Sequence, residues 1–145
     1  MMDHVLVVED EQLLRSSMVR CLRRLPGVEV SEASTLAEAR ARVAERVPTL
    51  VLSDVSLPDG EGIELLQTLD QGGLRVPVLF VTAILGRLRD RLPDRPCIEV
   101  LEKPLPLSVL RERVTHALAR AKHAGGQACD DAPPWDDRLE LDCCL

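Results

Sequence analysis

With 145 residues and 46% hydrophobic content, the chain is long and apolar enough to bury the core of one globular domain. The apolar run in the opening MMDHVLVV is too short for a signal peptide or a membrane span, so we expect a soluble, cytoplasmic protein without membrane contact. Residues 125–145 carry −5 of the net charge of −6, and the nearly neutral remainder argues against nucleic-acid binding by residues 1–122.

Apolar runs alternate with helical patterns from the amino terminus onward. HVLVV predicts a buried first strand, and EQLLRSSMVRCLRRL predicts a helix that ends at Pro26-Gly27. VEVSEA predicts the second strand, TLAEARARVAERV the second helix and TLVLSD the third strand. The apolar stripes of the two helices comprise Leu13, Leu14, Met18, Cys21, Leu22 and Leu25 in the first, and Leu36, Ala39, Val43 and Val47 in the second.

The same alternation continues after the turn signal LPDGEG. A third helix is predicted over residues 62–69, VPVLFVT as the fourth strand, a short helix over residues 85–91, and CIEVLEK as the fifth strand. PLSVLRERVTHALARAKHAGG predicts an amphipathic last helix that stops at Gly125. Its inward-facing residues are Leu107, Leu110, Val114, Ala117, Leu118 and Ala121.

Five strands that alternate with five helices, with strands rich in Val, Ile and Leu, predict an α/β fold. Its core is a doubly wound, five-stranded parallel sheet with helices on both faces. Ligands of such folds bind beyond the carboxyl ends of the strands, where the strand order reverses. The functional residues are therefore expected at the strand ends.

Polar residues directly follow four of the predicted strands. Glu9 and Asp10 follow the first strand and Asp54 the third, so three carboxylates converge if these strands are neighbours, about 4.8 Å apart. Like charges at that range raise a pKa or require a cation, and an all-oxygen cluster suits Mg²⁺. Alternatively, Glu9 and Asp10 only stabilise the amino terminus of the first helix.

The other two strand ends carry Thr82 and Lys103. Among 18 lysines and arginines the only lysines are Lys103 and Lys122, which indicates a need for a compact ammonium group at residue 103. An ordinary salt bridge at the top of the sheet is the alternative for Lys103. The hydroxyl of Thr82 is expected at the same rim.

Four motifs, VLVVEDE, LVLSDVSLPDGEGIELL, VPVLFVTA and VLEKPL, occur in an order that resembles the receiver domain of bacterial two-component response regulators. The resemblance spans residues 3–122 and implies the chemotaxis-regulator-like (CheY-like), flavodoxin-like strand order 2-1-3-4-5. We therefore expect a receiver domain over residues 1–122 and an acidic tail or linker over residues 123–145.

The resemblance also implies a role for each strand-end residue. Asp54 would accept a phosphoryl group from a sensor histidine kinase or phosphotransfer protein, so the chain would be a phosphoacceptor that assists its own phosphorylation and dephosphorylation. Lys103 would pair with Asp54 or its phosphate, and the Thr82 hydroxyl would move to the phosphate as a switch.

A magnesium site is implied by the same resemblance. Asp10 and Asp54 match direct Mg²⁺ ligands, the backbone carbonyl of Ser56 matches a third, and Glu9 matches a residue that acts through water. Glu9 replaces the commoner aspartate, which adds one methylene to that role.

The chain departs from the family at Val100, where an aromatic residue three positions before the lysine usually takes part in the switch. The only aromatic residues are Phe80 and Trp135, so the path by which a signal reaches the surface is in question. The last helix and fifth strand usually form the surface for dimerisation or effector contact, which makes a homodimer through them the expected assembly.

The tail GGQACDDAPPWDDRLELDCCL begins with the composition of a linker. Alternating apolar residues then predict a strand like the first strand of a truncated winged-helix output domain. The alternative is a disordered or self-docking tail. The alternating residues are Leu139, Leu141, Cys143 and Leu145.

Two other functions remain as alternatives. One is a receiver-like interaction module that is never phosphorylated, which Val100 favours. The other is a Mg²⁺-dependent phosphatase or nucleotide enzyme, which is disfavoured because the sequence has no GxxxxGK[ST] loop and Ser56 stands where a second catalytic carboxylate is needed. The five cysteines show no ligand spacing, so reduced thiols are expected.

Overall fold

The computed structural model describes residues 2–83 and 97–123. The helix predicted over residues 85–91, the helix stop at Gly125 and the strand predicted in the tail lie outside the described residues. Within the described part of the chain, no helix is long and apolar enough to cross a membrane.

Five strands form a parallel sheet at the centre of the described structure. They are β1 (Asp3–Val8), β2 (Val28–Ala33), β3 (Leu50–Asp54), β6 (Val78–Thr82) and β7 (Ile98–Glu102). The order is β2-β1-β3-β6-β7, with every neighbouring pair parallel, which confirms the predicted order 2-1-3-4-5. The stretch predicted as a turn also contains β4 (Ser56–Leu57) and β5 (Gly60–Glu61), which pair as an antiparallel hairpin.

Four described helices connect or follow the strands: α1 (Gln12–Arg23), α2 (Leu36–Glu45), α3 (Glu64–Gln71) and α4 (Leu107–His123). The third helix begins two residues later than predicted, because residues 62 and 63 form a turn between the hairpin β4-β5 and the helix. Gly73, with a φ of 67°, follows α3 in the left-handed conformation that glycine adopts without strain.

The core consists of two apolar layers, one on each face of the sheet. Successive residues of a strand face opposite sides, so Leu6 and Val8 belong to one layer and Val5 and Val7 to the other. The first layer packs against α2 and α3, and the second packs against α1 and α4. The predicted covering of both faces of a parallel sheet is therefore confirmed.

The predicted apolar stripes are wrong at three positions. The exposed fractions are 80% for Leu13, 49% for Val47 and 41% for Leu107. Leu13 and Leu107 lie in the first turns of α1 and α4, and Val47 lies beyond the last residue of α2. Helical periodicity predicts which side of a helix a residue occupies, but it does not predict whether another element packs there.

The cysteine prediction is partly wrong. Cys21 is a half-buried free thiol, as expected. Cys97 is disulfide-bonded. An odd number of cysteines without characteristic spacing does not indicate which of them pair.

Two leucines of α4 give a matched test of the packing. Leu110→Ala should lower the free energy of unfolding by about 2–5 kcal/mol, because Leu110 is only 1% exposed and its loss leaves a cavity in the layer that faces α1. Leu107→Ala, in the same helix, should change it by less than about 0.5 kcal/mol. Urea unfolding measures both, and equal losses for the two variants would contradict the described orientation of α4.

Candidate functional site

Three carboxylates converge at the carboxyl ends of β1 and β3. The register pairs Val8 of β1 with Ser53 of β3, so Glu9 and Asp54 leave neighbouring strands at the same level. Carboxylate oxygens of Glu9, Asp10 and Asp54 all lie within 4.8 Å of one another. Glu9 and Asp54 are buried, whereas Asp10 is exposed. The cluster is therefore a mostly buried group of oxygen ligands with one side open to solvent.

Lys103, which follows β7 two strands away from β3, brings a positive charge into this cluster. Its backbone N–H donates to the carbonyl of Thr82 at 2.8 Å, which extends the pairing with β6 one residue past the end of β7. The ammonium group then lies 2.9 Å from Oδ2 of Asp54 and 3.3 Å from Oε2 of Glu9. One lysine therefore partly compensates two buried carboxylates.

The backbone around Asp54 is held by its neighbours. The N–H of Ser56 donates to Oδ1 of Asp54 at 3.2 Å, so both carboxylate oxygens of Asp54 have a partner. The N–H of Gly62 donates to the carbonyl of Val55 at 2.7 Å. A Cβ atom at Gly62 would lie 2.1 Å from the carbonyl oxygen of Asp54, which only glycine avoids. The letters GEG indicate a turn but not what packs against it, so this constraint cannot be predicted from the sequence.

Burial and like charge act together on Glu9. Desolvation is the main cause that raises the pKa of Glu9, the charge of Asp54 raises it further, and the ammonium of Lys103 opposes both. The result is a pKa of about 7, compared with the ordinary value of 4.5. Close to neutral pH, a small electrostatic change thus decides whether Glu9 is charged.

The balance at Lys103 has the opposite outcome. Burial by itself lowers the pKa of Lys103, but the hydrogen bond to Asp54, the charge of Asp54 and the contacts with Glu9 outweigh it. The net effect raises the pKa of Lys103 above its ordinary value. Lys103 is therefore a permanent positive charge at physiological pH.

The remaining residues predicted for the site lie at the carboxyl ends of the strands or further back along them. Thr82 is the last residue of β6, is 3% exposed and follows the register partner of Asp54, Val81. Ser56 begins β4 and is exposed. Val100 is half-buried in β7, where it pairs with Phe80 and packs against the layer that faces α2 and α3.

The carboxylate cluster fits a hard divalent cation. Its ligands are all oxygen, and the exposed Asp10 leaves room for the waters that Mg²⁺ usually keeps. The ammonium of Lys103 partly neutralises the two buried carboxylates. The donor set and its access to solvent are therefore compatible with Mg²⁺.

Comparison with known sequences identifies the family. The sequence profile described as "Response regulator receiver domain" matches residues 5–115. The KDP operon transcriptional regulatory protein KdpE of Escherichia coli (strain K12) is 35% identical over 138 residues, which cover 94% of this chain and 59% of that protein. The response regulator protein PilR of Pseudomonas aeruginosa is 32% identical over 136 residues, which cover 92% of this chain and 29% of that protein.

Solved structures agree with this relationship. The receiver domain of the PhyR response regulator from Erythrobacter litoralis matches with a TM-score of 0.70 at 32% identity and covers 81% of this chain and 91% of that one. A CheY-like receiver domain protein from Methanospirillum hungatei matches with a TM-score of 0.71 at 24% identity and covers 85% of this chain and 98% of that one. The second likeness supports the fold alone.

The strand order and the acidic strand ends define a flavodoxin-like domain with its site at the switch point. The chain belongs to the response regulator receiver domains of two-component systems, a family of signalling proteins and not of classical enzymes. It spans less than two thirds of the curated relatives described above, 59% of KdpE and 29% of PilR.

Because the pKa of Glu9 is raised, replacing Glu9 with a neutral residue should stabilise the fold, and the gain in stability should depend on pH. Without divalent cations, Glu9→Gln should raise the free energy of unfolding near pH 8 on the order of 3 kcal/mol, with little change near pH 4. The sign follows because the folded-state pKa of about 7 lies above the ordinary 4.5, so the stability present below pH 4.5 is lost as pH rises through 7.

Urea unfolding in EDTA across this range measures the effect of Glu9→Gln. Glu11→Gln is the control, because Glu11 is an exposed neighbouring acid and should change stability little at either pH. A gain for Glu9→Gln that does not depend on pH would contradict the raised pKa.

Proposed function

We propose that this receiver domain accepts a phosphoryl group on Asp54 and uses it to switch the activity of an output domain or partner. The observation that carries the proposal is the ammonium of Lys103, 2.9 Å from the Asp54 carboxylate inside the acidic cluster. A structural salt bridge has no need of two further carboxylates beside it. A site that holds a phosphate together with a cation needs a positive lysine for the phosphate and carboxylates for the cation.

In the proposed step, a carboxylate oxygen of Asp54 attacks the phosphorus of a phosphohistidine. The P–O bond forms as the P–N bond breaks, and the electron pair of the P–N bond returns to the imidazole nitrogen. The product is an acyl phosphate on Asp54. Such a transfer depends mainly on position and charge neutralisation, and the hydrogen bonds to Asp54 from Ser56 and Lys103 orient the attacking carboxylate.

Within the proposal, Asp10, Asp54 and the backbone carbonyl of Ser56 would hold Mg²⁺ directly, and Glu9 would act through water. Bound Mg²⁺ supplies positive charge against the phosphoryl oxygens. The low dielectric around buried Glu9 and Asp54 strengthens their attraction for a cation. Glu9 ionises fully when that cation offsets the charge of Asp54.

The proposed switch begins at Thr82. A phosphate on Asp54 presents new acceptor oxygens at the sheet edge where Thr82 ends β6, and the Thr82 hydroxyl can donate to one of them. Val100 has no ring to rotate, so the aromatic step usual in this family is absent.

The expected partners are a sensor histidine kinase or a phosphotransfer protein. Residues 1–122 would form the receiver and residues 123–145 would lead into an output domain. The chain covers only 59% of KdpE, which is named as a transcriptional regulatory protein, and this supports the division. A homodimer through α4 and β7 is the assembly we propose, with no direct nucleic-acid binding by residues 1–122.

The alternative is a receiver that is never phosphorylated and acts only through protein contacts. Its support is Val100, which replaces the aromatic residue of the switch. Against it stands the convergence of Asp10, Asp54 and Lys103 at one sheet edge. A phosphorylation assay distinguishes the two.

Acetyl phosphate tests the phosphoacceptor directly. With Mg²⁺ present, intact mass spectrometry should show one added phosphoryl group on the wild type and none on Asp54→Asn, because an amide is not a competent nucleophile at this step. EDTA should prevent the adduct. No adduct and no Mg²⁺ binding by the wild type would favour the unphosphorylated module, and an adduct that persists in Asp54→Asn would misplace the site.

Lys103 should oppose cation binding but assist transfer. Lys103→Gln removes a positive charge beside the carboxylates, so the Kd for Mg²⁺ should fall roughly 5-fold while the adduct forms more slowly. Lys103→Arg keeps the charge and is the matched control, with a Kd near that of the wild type. Calorimetric Mg²⁺ titration measures the Kd, and a weaker affinity in Lys103→Gln would contradict the proposed charge balance.

A further inference from the structure

An aspartate from the loop after Asp54 lies across the amino terminus of α2. Oδ1 of Asp59 accepts from the N–H of Leu36 at 2.7 Å, and Oδ2 accepts from the N–H of Ala37 at 2.9 Å. The third N–H of the helix, that of Glu38, donates to the hydroxyl of Thr35 at 3.1 Å. The first three orphan donors of α2 are thus satisfied, two of them by a residue more than twenty positions away in sequence.

Asp59 belongs to the turn of the hairpin that carries Ser56. The hairpin pairs Ser56 with Glu61 and Leu57 with Gly60, which leaves Asp59 between its two strands. At the base of the hairpin, the N–H of Gly62 donates to the carbonyl of Val55 at 2.7 Å. The loop that follows Asp54 is consequently fixed at two points, its base and its tip.

Close packing shows that the tip is pressed against α2. A Cβ atom at Gly60 would lie 3.2 Å from a methyl carbon of Leu36 and 2.5 Å from a carboxylate oxygen of Glu64. Gly60 has a φ of 153°, which side-chain-bearing residues rarely adopt. The tip therefore contacts Leu36 of α2 and approaches the carboxylate of Glu64 in α3, and glycine at residue 60 leaves room for both.

Asp59 takes no part in the acidic cluster, although it is only five positions from Asp54. Its carboxylate is satisfied by the helix donors, which hold the pKa of Asp59 below its ordinary value, first through Leu36 and then through Ala37. A carboxylate free to turn toward Asp54 would add a fourth negative charge to the site. The helix terminus prevents this by binding the charge.

We propose that Asp59 is a positioning residue that ties the Ser56 hairpin to α2 and thereby sets the orientation of the Ser56 carbonyl toward the cation. This inference rests on the proposed function, which makes that carbonyl a Mg²⁺ ligand. A partner that orients a metal ligand typically contributes about 10–100-fold to metal affinity. The tether also couples α2 to the site, and by reciprocity a cation bound at the site must strengthen the tether.

The test compares Asp59→Ala with Thr35→Ala. Both variants remove a cap from the amino terminus of α2, but the hydroxyl of Thr35 accepts its hydrogen bond from Glu38 of the same helix. We expect Asp59→Ala to weaken Mg²⁺ binding about 10-fold in a calorimetric titration of the full chain. Thr35→Ala should leave the Kd for Mg²⁺ within about twofold of the wild type, since it lies outside the tether.

Amide hydrogen exchange gives the structural readout. Protection of the Leu36 and Ala37 amides should fall about 5-fold in Asp59→Ala, as expected for a lost helix cap. Saturating Mg²⁺ should raise this protection in the wild type and in Thr35→Ala but not in Asp59→Ala. Asp59→Asn, which keeps one acceptor oxygen, should lie between Asp59→Ala and the wild type and serves if the alanine variant fails to fold.

The outcomes separate this inference from the proposed function. Unchanged Mg²⁺ affinity in Asp59→Ala, together with lost protection at Leu36 and Ala37, would overturn the inference and leave Asp59 as a helix cap only. If the wild type itself does not bind Mg²⁺, the proposed function fails. The tether is then tested by the Ser56 amide resonance, which should shift in cation-free Asp59→Ala and not in Thr35→Ala. The absence of a shift in Asp59→Ala would overturn the tether.

Discussion

The structure is organised around the repulsion between Glu9 and Asp54, two carboxylates buried side by side at the ends of neighbouring strands. Parallel pairing of β1 with β3 makes their proximity unavoidable, because the register brings Val8 level with Ser53. The ammonium of Lys103 offsets part of the repulsion, and burial together with the remaining charge of Asp54 raises the pKa of Glu9. A cation or a phosphate that enters the site changes this balance, which is the physical basis for a switch.

The loop after β3 meets a second constraint, the lack of space around Asp54. Gly62 lies against the carbonyl of Asp54 so closely that a side chain is excluded, and Gly60 lies against Leu36. Asp59 adds two hydrogen bonds between the same loop and α2. A small structural change at Asp54 should therefore displace the neighbouring loop and helix together, since close-packed elements move as units. Packing thus connects the charge balance of the site to the surface helices.

Sequence patterns predicted the strands, their order and the polar strand ends well because each of these depends on local composition or on the resemblance of four motifs. They predicted the helix stripes less well: Leu13 and Leu107 match the periodicity but are exposed. The hairpin β4-β5 was missed because two-residue strands leave no periodic signal. The disulfide-bonded state of Cys97 was missed because spacing does not determine pairing.

For the site, the sequence by itself determined the chemistry, namely carboxylates at 9, 10 and 54, a lysine at 103 and a threonine at 82, each directly after an apolar run. Only the tertiary structure decided which of them interact, because the distances among Glu9, Asp54 and Lys103 arise from pairing between strands far apart in the chain. The same is true of Asp59 and Gly62, whose letters indicate a turn and nothing more. Their roles depend on α2 and on the carbonyl of Asp54, which come close only when the chain folds, and no local pattern encodes such a contact.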